Sequence, residues 1–378
     1  MTVPSAVLPP ATLGILGGGQ LGRMTALAAR AMGYRVHVLD PDPDCAARPV
    51  VDRVVVARFD DPSGAAELAR SCDVVTLEIE QIAPAALDAV VAHAPLRPGA
   101  DVVRMVQHRG RQKRWLADAG FPVGPHALVR SAGDLADAMR TLGPRLFVKS
   151  CEGGYDGRSQ TRTDEATDPA SAFAELGREA VAEQALDLEL ELSVLVARRP
   201  GGEVMVYPPA LNHHERQALA WSSIPADLPE GVLRDAQQIA RGVAASVRLE
   251  GILTVEMFLL RDGRLLVNEL APRPHNSYHA SELACATSQF EQLVRAACNL
   301  PLGDTRVVRP AAIVNLFGDL WLDGRTPDFA AALEVPSSRL FLYGKRGARA
   351  ARKMGHLAAA AESSGEALRL ARDAFGRL

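Results

Sequence analysis

The sequence predicts an α/β unit followed by strand-rich α+β structure, and three observations carry that prediction. Residues 12–40 run strand, glycine loop, helix, strand, the pattern of a parallel, doubly wound sheet. Residues 145–269 hold most of the other strand signals, and two of those strands are joined by the Gly-containing loop 261–264, as in a hairpin. After Pro301 the pattern changes to short strands and one amphipathic last helix.

In chain order, the first strand is 12–16, followed by the loop Gly17-Gly-Gly-Gln-Leu-Gly22, a helix over 23–32 and a strand over 34–39 ending at Asp40. A third strand over 72–77 runs into Glu78 and Glu80, and 95–99 closes the unit. One helix is expected over 101–119. Central strands are expected at 145–149, 189–198, 203–207, 253–260 and 265–269, with helices at 132–141, 170–176 and 232–246. The last part has strands at 311–316 and 341–343 and a helix from about Gly365. The domain boundaries drawn on this basis are 1–108, 109–305 and 306–378.

The 378 residues are 48% hydrophobic and 23% charged, which excludes disorder or coiled coil as a description of the whole and allows two or three cores. A net charge of -3 supplies no field to recruit nucleic acid or an anionic membrane. Five cysteines, odd in number and without a C-x-x-C pair, speak against a disulfide framework or thiolate zinc site. The first ten residues lack the regions of a signal peptide, and no apolar run reaches membrane-spanning length. The expectation is a soluble, cytoplasmic protein. Lysine stands only at 113, 149, 345 and 353 among 42 basic residues. Under so strong an arginine bias, a lysine either has not drifted or marks a need for a compact ammonium rather than a planar fork.

Several motifs suit phosphate chemistry. The loop 17–22 opens a helix after a strand, where backbone N–H groups and the helix dipole bind phosphate, and Asp40 sits where a dinucleotide fold places its ribose acid. A tight turn without ligand is the alternative. Lys149 closes an apolar strand just before Gly153-Gly-Tyr-Asp-Gly-Arg-Ser-Gln160, a glycine-rich hairpin whose amides can approach a polyphosphate. At Glu183 to Leu186 a strand end offers a backbone donor and acceptor to a base, with Glu191 for ribose hydroxyls; an ordinary strand with solvated acids is the alternative. Glu256 and Glu269 lie in apolar strands on either side of the hairpin, and two buried carboxylates so placed need a cation such as magnesium, or an arginine each. A proline-stiffened loop then presents Arg273, His275, Asn276 and Ser277 beside that pair. Cys285 and Cys298 read as packing residues.

Together Gly17–Met24 (GGGQLGRM), GGYDGRSQ at 153–160, NELAPRPHNS at 268–277, TSQFE at 287–291, LPLG at 300–303 and the tail around Lys345 and 352–356 resemble the ATP-grasp superfamily, and within it the N5-carboxyaminoimidazole ribonucleotide synthetase family. The resemblance covers nearly the whole chain. It implies a Rossmann-like N-terminal (pre-ATP-grasp) domain, a central ATP-grasp domain and a small C-terminal domain. By position it assigns nucleotide binding to Arg109, Lys149, Gly154, Tyr155, Asp156, Gly157, Arg158, Ser159, Gln160, Glu183, Gln184, Ala185, Leu186, Glu191, His214, Asn268 and Glu269. Glu256 and Glu269 match its magnesium ligands, with manganese as a substitute. The ribonucleotide would meet Gln20, Leu21, Glu78, Tyr155, Asp156, Arg273, His275, Asn276 and Ser277, with Lys345, Arg352 and Lys353 facing its 5'-phosphate. Asp156, Arg273, His275 and Lys353 are the catalytic candidates, with Asp156 or His275 handling the amine proton. The implied reaction joins aminoimidazole ribonucleotide to bicarbonate at the expense of ATP, and family precedent implies a homodimer.

Four positions depart from the family pattern. Ser159 replaces a glycine of the second loop, and Tyr278 replaces a glycine, with added bulk expected near the substrate pocket. The stretch after Asn212 lacks the usual arginine, with Ala220 about where it would fall, and one extra residue lies between Lys345 and Arg352. Two other readings stay open. One is a sister ATP-grasp ligase such as formate-dependent glycinamide ribonucleotide transformylase. The other is an NAD-binding oxidoreductase built on the first glycine loop.

Overall fold

The computed structural model describes residues 4–153, 159–322, 324 and 326–378. Its first part comprises β1 (Thr12–Leu16), α1 (Gln20–Ala31), β2 (Arg35–Asp40), β3 (Arg53–Val56), α2 (Pro62–Arg70), β4 (Val74–Leu77) and α3 (Pro84–Val91). The strands pair in parallel in the order β3-β2-β1-β4. Leu13, Ile15, Val36, Val38 and Val74 pack against Ala26 and Ala29 of α1, whose small side chains let the helix lie close to the sheet. Two expectations shift. The strand drawn over 72–77 starts at Val74; just before it, Asp73 donates its backbone N–H to the Thr12 carbonyl at 2.9 Å and accepts the Thr12 N–H on its carboxylate at 2.7 Å. The edge strand β3 is too short and too exposed to leave a hydrophobic pattern, and the sequence reading had no strand there.

The single helix expected over 101–119 is two helices, α4 (Ala100–Val106) and α5 (Arg109–Asp118). His108 between them is extended, and its side chain accepts the Arg111 N–H, so it caps α5 where a continuous helix would need it inside.

Next, β5 (His126–Val129), α6 (Ala132–Leu142), β6 (Leu146–Ser150), β7 (Gln160–Arg162), α7 (Pro169–Leu176) and β8 (Ala180–Gln184) build an antiparallel sheet in the order β5-β8-β6-β7. Leu135 and Ala138 of α6 and Ala172 and Leu176 of α7 cover one face of it. The remaining elements are β9 (Leu188–Arg198), β10 (Val204–Val206), β11 (Ala210–Glu215), β12 (Ala218–Ile224), α8 (Glu230–Ser246), β13 (Gly251–Leu260), β14 (Leu265–Ala271), α9 (Ser281–Ala284), α10 (Gln289–Ala297), β15 (Ala311–Phe317), α11 (Phe329–Leu333), β16 (Ser338–Leu342), β17 (Lys353–Ala360) and α12 (Ser364–Gly376). Their strands form one sheet, β14-β13-β9-β11-β12-β15-β17-β16, with β10 beside β9. Ala236, Ala240, Val243 and Ala244, at helical spacing on α8, bury one face of β9 and β13.

The C-terminal strands thus extend the central sheet. The outer edge of β12 is taken up by β15, from Trp221 opposite Val314 to Ile224 opposite Ala311. Tyr278, expected near the substrate pocket, is instead fully buried in the core, where its hydroxyl donates to the Ser193 and Pro208 carbonyls, 2.9 Å from each. All five cysteines are free thiols, and Cys285 and Cys298 are buried in packing. No described helix is long and apolar enough to cross a membrane.

Candidate active site

A cleft of about 1680 Å3 is lined by the small antiparallel sheet, the β13–β14 end of the large sheet and the ends of the N-terminal strands. On its floor, Glu256 of β13 stands directly across the ladder from Glu269 of β14, beside a bulge between Glu256 and Met257. Burial pushes the Glu256 carboxyl up, but His275, 3.0 Å away through Nε2, together with the His214 and Arg273 charges holds it down at about 2. Burial and then the neighbouring Glu256 charge push Glu269 up. Two facing carboxylates, one of them raised by the other, are a donor set that suits a hard divalent cation bound with substrate phosphates.

His275 is held from its other side as well. Its Nδ1 lies 2.8 Å from the Ser277 hydroxyl, which in turn lies 2.8 Å from the Ser193 hydroxyl. The loop after β14 also carries Arg273, whose Nε pairs at 2.7 Å with Glu80. This bridge joins the N-terminal part to the central part across the cleft.

The wall belongs to the small sheet. Glu183 of β8 receives Lys149 of β6 at 3.0 Å and Lys113 of α5 at 3.5 Å, both on Oε2. Burial pushes the Glu183 carboxyl up, but the two ammonium groups prevail and hold it below its usual range. Arg109, opening α5, donates to the Ser150 carbonyl at 2.8 Å. Nearer the rim, Glu191 pairs with His214 at 2.9 Å. Burial lowers the His214 ring, yet that carboxylate keeps its pKa above the usual histidine value.

The first glycine loop is filled by the chain itself. The Gly18 N–H donates to Asp40 at 2.8 Å, and the Gly19 and Gly22 N–H groups donate to the two oxygens of Glu78 at 2.6 and 2.7 Å. Gly17 needs its positive φ of 102°, and a Cβ on Gly17 or Gly19 would collide with the Glu78 side chain. These glycines therefore admit a carboxylate, and the donors a dinucleotide phosphate requires are already used.

Of the proposed substrate contacts, Gln20, Leu21, Arg273, His275, Asn276 and Lys353 line the cleft. Glu78 sits in the loop just described, and Ser277 is buried behind His275. Lys345 stands behind Gln20, donating to its side chain and, at 2.8 Å, to the Lys353 carbonyl. Arg352 donates to the Arg346 and Gly347 carbonyls. Of the nucleotide set, Arg109, Lys149, Gln160, Glu183, Gln184, Leu186, Glu191, His214, Asn268 and Glu269 line the cleft. The lining set omits Ala185 and Ser159, while Gly154, Tyr155, Asp156, Gly157 and Arg158 lie outside the described residues. Beside half-buried Ala220, the turn residues Arg216 and Gln217 reach the cleft rim. The sequence reading gave no role to Lys113 or Glu80. For Lys113 the rarity of lysine was the available signal, whereas the partner of Glu80 lies 193 positions away (273 minus 80) and left none.

Family models match the chain in three consecutive blocks: a ribonucleotide synthetase pre-ATP-grasp domain over 10–107, an ATP-grasp domain over 114–290 and a phosphoribosylaminoimidazole carboxylase C-terminal domain over 311–370. The N5-carboxyaminoimidazole ribonucleotide synthase of Bacillus subtilis (strain 168) is 39% identical over 93% of this chain and 92% of its own length. That of Brucella melitensis biotype 1 is 39% identical over 93% and 97%. The N5-carboxyaminoimidazole synthetase of Staphylococcus aureus complexed with ADP superposes with a TM-score of 0.92 at 33% identity, covering 99% of this chain and 100% of that one. The Aspergillus clavatus synthase in complex with ADP and aminoimidazole ribonucleotide gives 0.87 at 30% identity, covering 97% and 99%. Facing acids, paired lysines on the wall and full-length similarity agree: the chain is an ATP-grasp ligase and belongs to the N5-carboxyaminoimidazole ribonucleotide synthase family.

Proposed function

We propose that this chain uses ATP and bicarbonate to carboxylate 5-aminoimidazole ribonucleotide, giving N5-carboxyaminoimidazole ribonucleotide, ADP and phosphate, as a cytoplasmic step of purine biosynthesis. The observation that carries the reading is that a single cleft gathers the Lys149–Glu183 wall, the Glu256–Glu269 floor and the Arg273, His275, Gln20 and Lys353 group. Nucleotide and ribonucleotide can then react without an intermediate leaving for water.

Bicarbonate oxygen attacks the γ-phosphorus, the bond to ADP breaks, and carboxyphosphate results. The exocyclic amine of the ribonucleotide then bonds to the carboxyl carbon, phosphate leaves, and the amine proton is lost. Lys149 places a point charge on the transferring phosphates, and Arg109 lies at the start of the same wall. Arg273, fixed by Glu80, orients the carboxyl oxygens bidentately. His275, fixed by Glu256 and Ser277, and Asp156 of the second loop are the groups for the amine proton. Glu256 and Glu269 would hold magnesium, or manganese in its place, which when bound supplies neutralising charge for the phosphates. Family precedent makes the working unit a homodimer with its domains divided near 108 and 305.

The test is ADP release from Mg-ATP and bicarbonate, with and without aminoimidazole ribonucleotide. Release that depends on both co-substrates is expected. Release driven instead by glycinamide ribonucleotide and formate would overturn the reading in favour of the sister ligase.

A further inference from the structure

Lys113 has no part in the reaction described above, yet it is the most deeply buried lysine on the cleft wall, with a side chain only 5% exposed. Glu183 Oε2 is shared between it and Lys149, which is 19% exposed and stands nearer the open cleft. Neither Glu183 nor Lys113 is placed to move away. The backbone of Glu183 is locked between β5 and β6, opposite His126 and Phe147. The helix bearing Lys113 is tied down by its neighbour Gln112, which accepts the Leu270 N–H at 3.0 Å, and by Arg109 on Ser150.

On the reading that Lys149 serves the nucleotide phosphates, its ammonium must give up most of its contact with Glu183 when nucleotide binds. A carboxylate this buried, left without a cation, would oppose that transfer. We propose that Lys113 is a positioning residue that stays on Glu183 throughout, compensating its charge so that Lys149 can be handed over to the nucleotide phosphates. One acid is thus given two lysines because one of them is on loan to the substrate. Burial lowers the Lys113 pKa, and Glu183 opposes that shift without reversing it. The proposal rests on the nucleotide reading of Lys149.

The experiment is calorimetric binding of Mg-ADP to the full chain, its Lys113→Met and Glu183→Gln variants and the double variant. Lys113→Met should weaken Mg-ADP about tenfold or more, and in turnover the loss should fall on the KM for ATP more than on kcat. The double variant should bind within about threefold of Glu183→Gln alone, because a neutral Glu183 no longer needs a guardian. If the two losses multiply, or if Lys113→Met binds as the parent does, the proposal is overturned. Should Lys113→Met fail to fold, the comparison of Glu183→Gln with the double variant decides by the same threefold criterion. No binding of Mg-ADP by the parent chain would overturn the nucleotide reading itself, an outcome distinct from multiplicative losses in a chain that does bind.

Discussion

The N-terminal glycine loop and the cleft floor both gather acids at a place suited to phosphate chemistry, and they differ in what the acids face. At the loop, Asp40 and Glu78 point at backbone N–H groups and consume them, so the donors are already satisfied from within. On the floor, Glu256 and Glu269 are paired across the ladder, and their charge is answered only in part, by the His275 ion pair and the surrounding His214, Arg273, Arg109 and Lys149 charges. A glycine loop offers hydrogen-bond donors, but a ligand obtains them only if the chain has not supplied its own anion. A pair of like charges facing an open cleft is the reverse case, in which the missing partner must come from outside.

The largest effect should come from breaking the floor. Glu269→Gln is expected to reduce ATP turnover by about a thousandfold or more, since a cation and its charge neutralisation are worth several kcal/mol at the transition state. The fold should hold, because the change is isosteric and relieves repulsion. Steady-state ADP release with a parallel thermal melt checks both, and ordinary turnover would remove the metal assignment.

Breaking the loop should cost stability. Glu78→Ala leaves the Gly19 and Gly22 N–H groups without their acceptor, a loss of about 2–4 kcal/mol by urea unfolding. Added sulfate should then raise the melting temperature of the variant more than that of the parent, as an anion enters the vacated nest. The parent itself should show no NADH binding in a fluorescence titration; saturable binding there would revive the oxidoreductase reading.

Behind the cleft lies a third arrangement, neutral rather than charged. His279 and His356 stack at 5.0 Å, both fully buried. Burial lowers both rings, His356 to about 3. Their folded pKa lies below the unfolded value near 6.5, so the unfolded chain binds more protons in this window. Stability is therefore complete above pH 6.5 and declines as pH falls toward 3, with a limiting slope of about 1.4 kcal/mol per pH unit for each ring. Chemical unfolding from pH 7 to 5 checks the sign, and His356→Gln should remove part of the slope. An unchanged slope would mean that the ring protonates in the folded state.

The smallest effect concerns the second loop. Ser159 has φ of 60°, the left-handed region where glycine fits and serine is strained. Ser159→Gly should stabilise by about 0.5–1 kcal/mol, partly offset by the freer unfolded chain, with turnover within about twofold. A melt would read this as a rise of a few degrees at most; destabilisation would show that the serine side chain contributes to the folded loop.

Legibility followed distance along the chain. Glu256 and Glu269 were readable as a pair because a short hairpin between two apolar strands forces them to be neighbours. The parallel N-terminal unit was readable from one strand-loop-helix-strand run. The helix break at His108 was not, since an isolated histidine gives no sign that its ring will cap the next turn. The hairpin of β11 and β12 was missed because its turn residues, Arg216 and Gln217, take positive φ without a glycine or asparagine to signal it, and β17 because it pairs with β15, well outside any short hairpin. Tyr278 looked like pocket bulk from its place beside the His275 loop; the backbone turned it into the core.

Local sequence sets what each segment can offer: donors at Gly17 to Gly22, two acids across a hairpin, a lysine at the end of a strand. Such capacities depend on backbone geometry and a few neighbours, and the family follows from the order in which they occur. Which partner meets each capacity is settled by packing between segments remote in sequence. Glu78 reaches the loop from 59 positions beyond Gly19, and Lys113 reaches Glu183 on strand β8 from helix α5. Charge and hydrogen bonds are satisfied in three dimensions, so the same glycines that could cradle a phosphate hold a carboxylate, and the rare lysine on α5 becomes the partner of a buried acid.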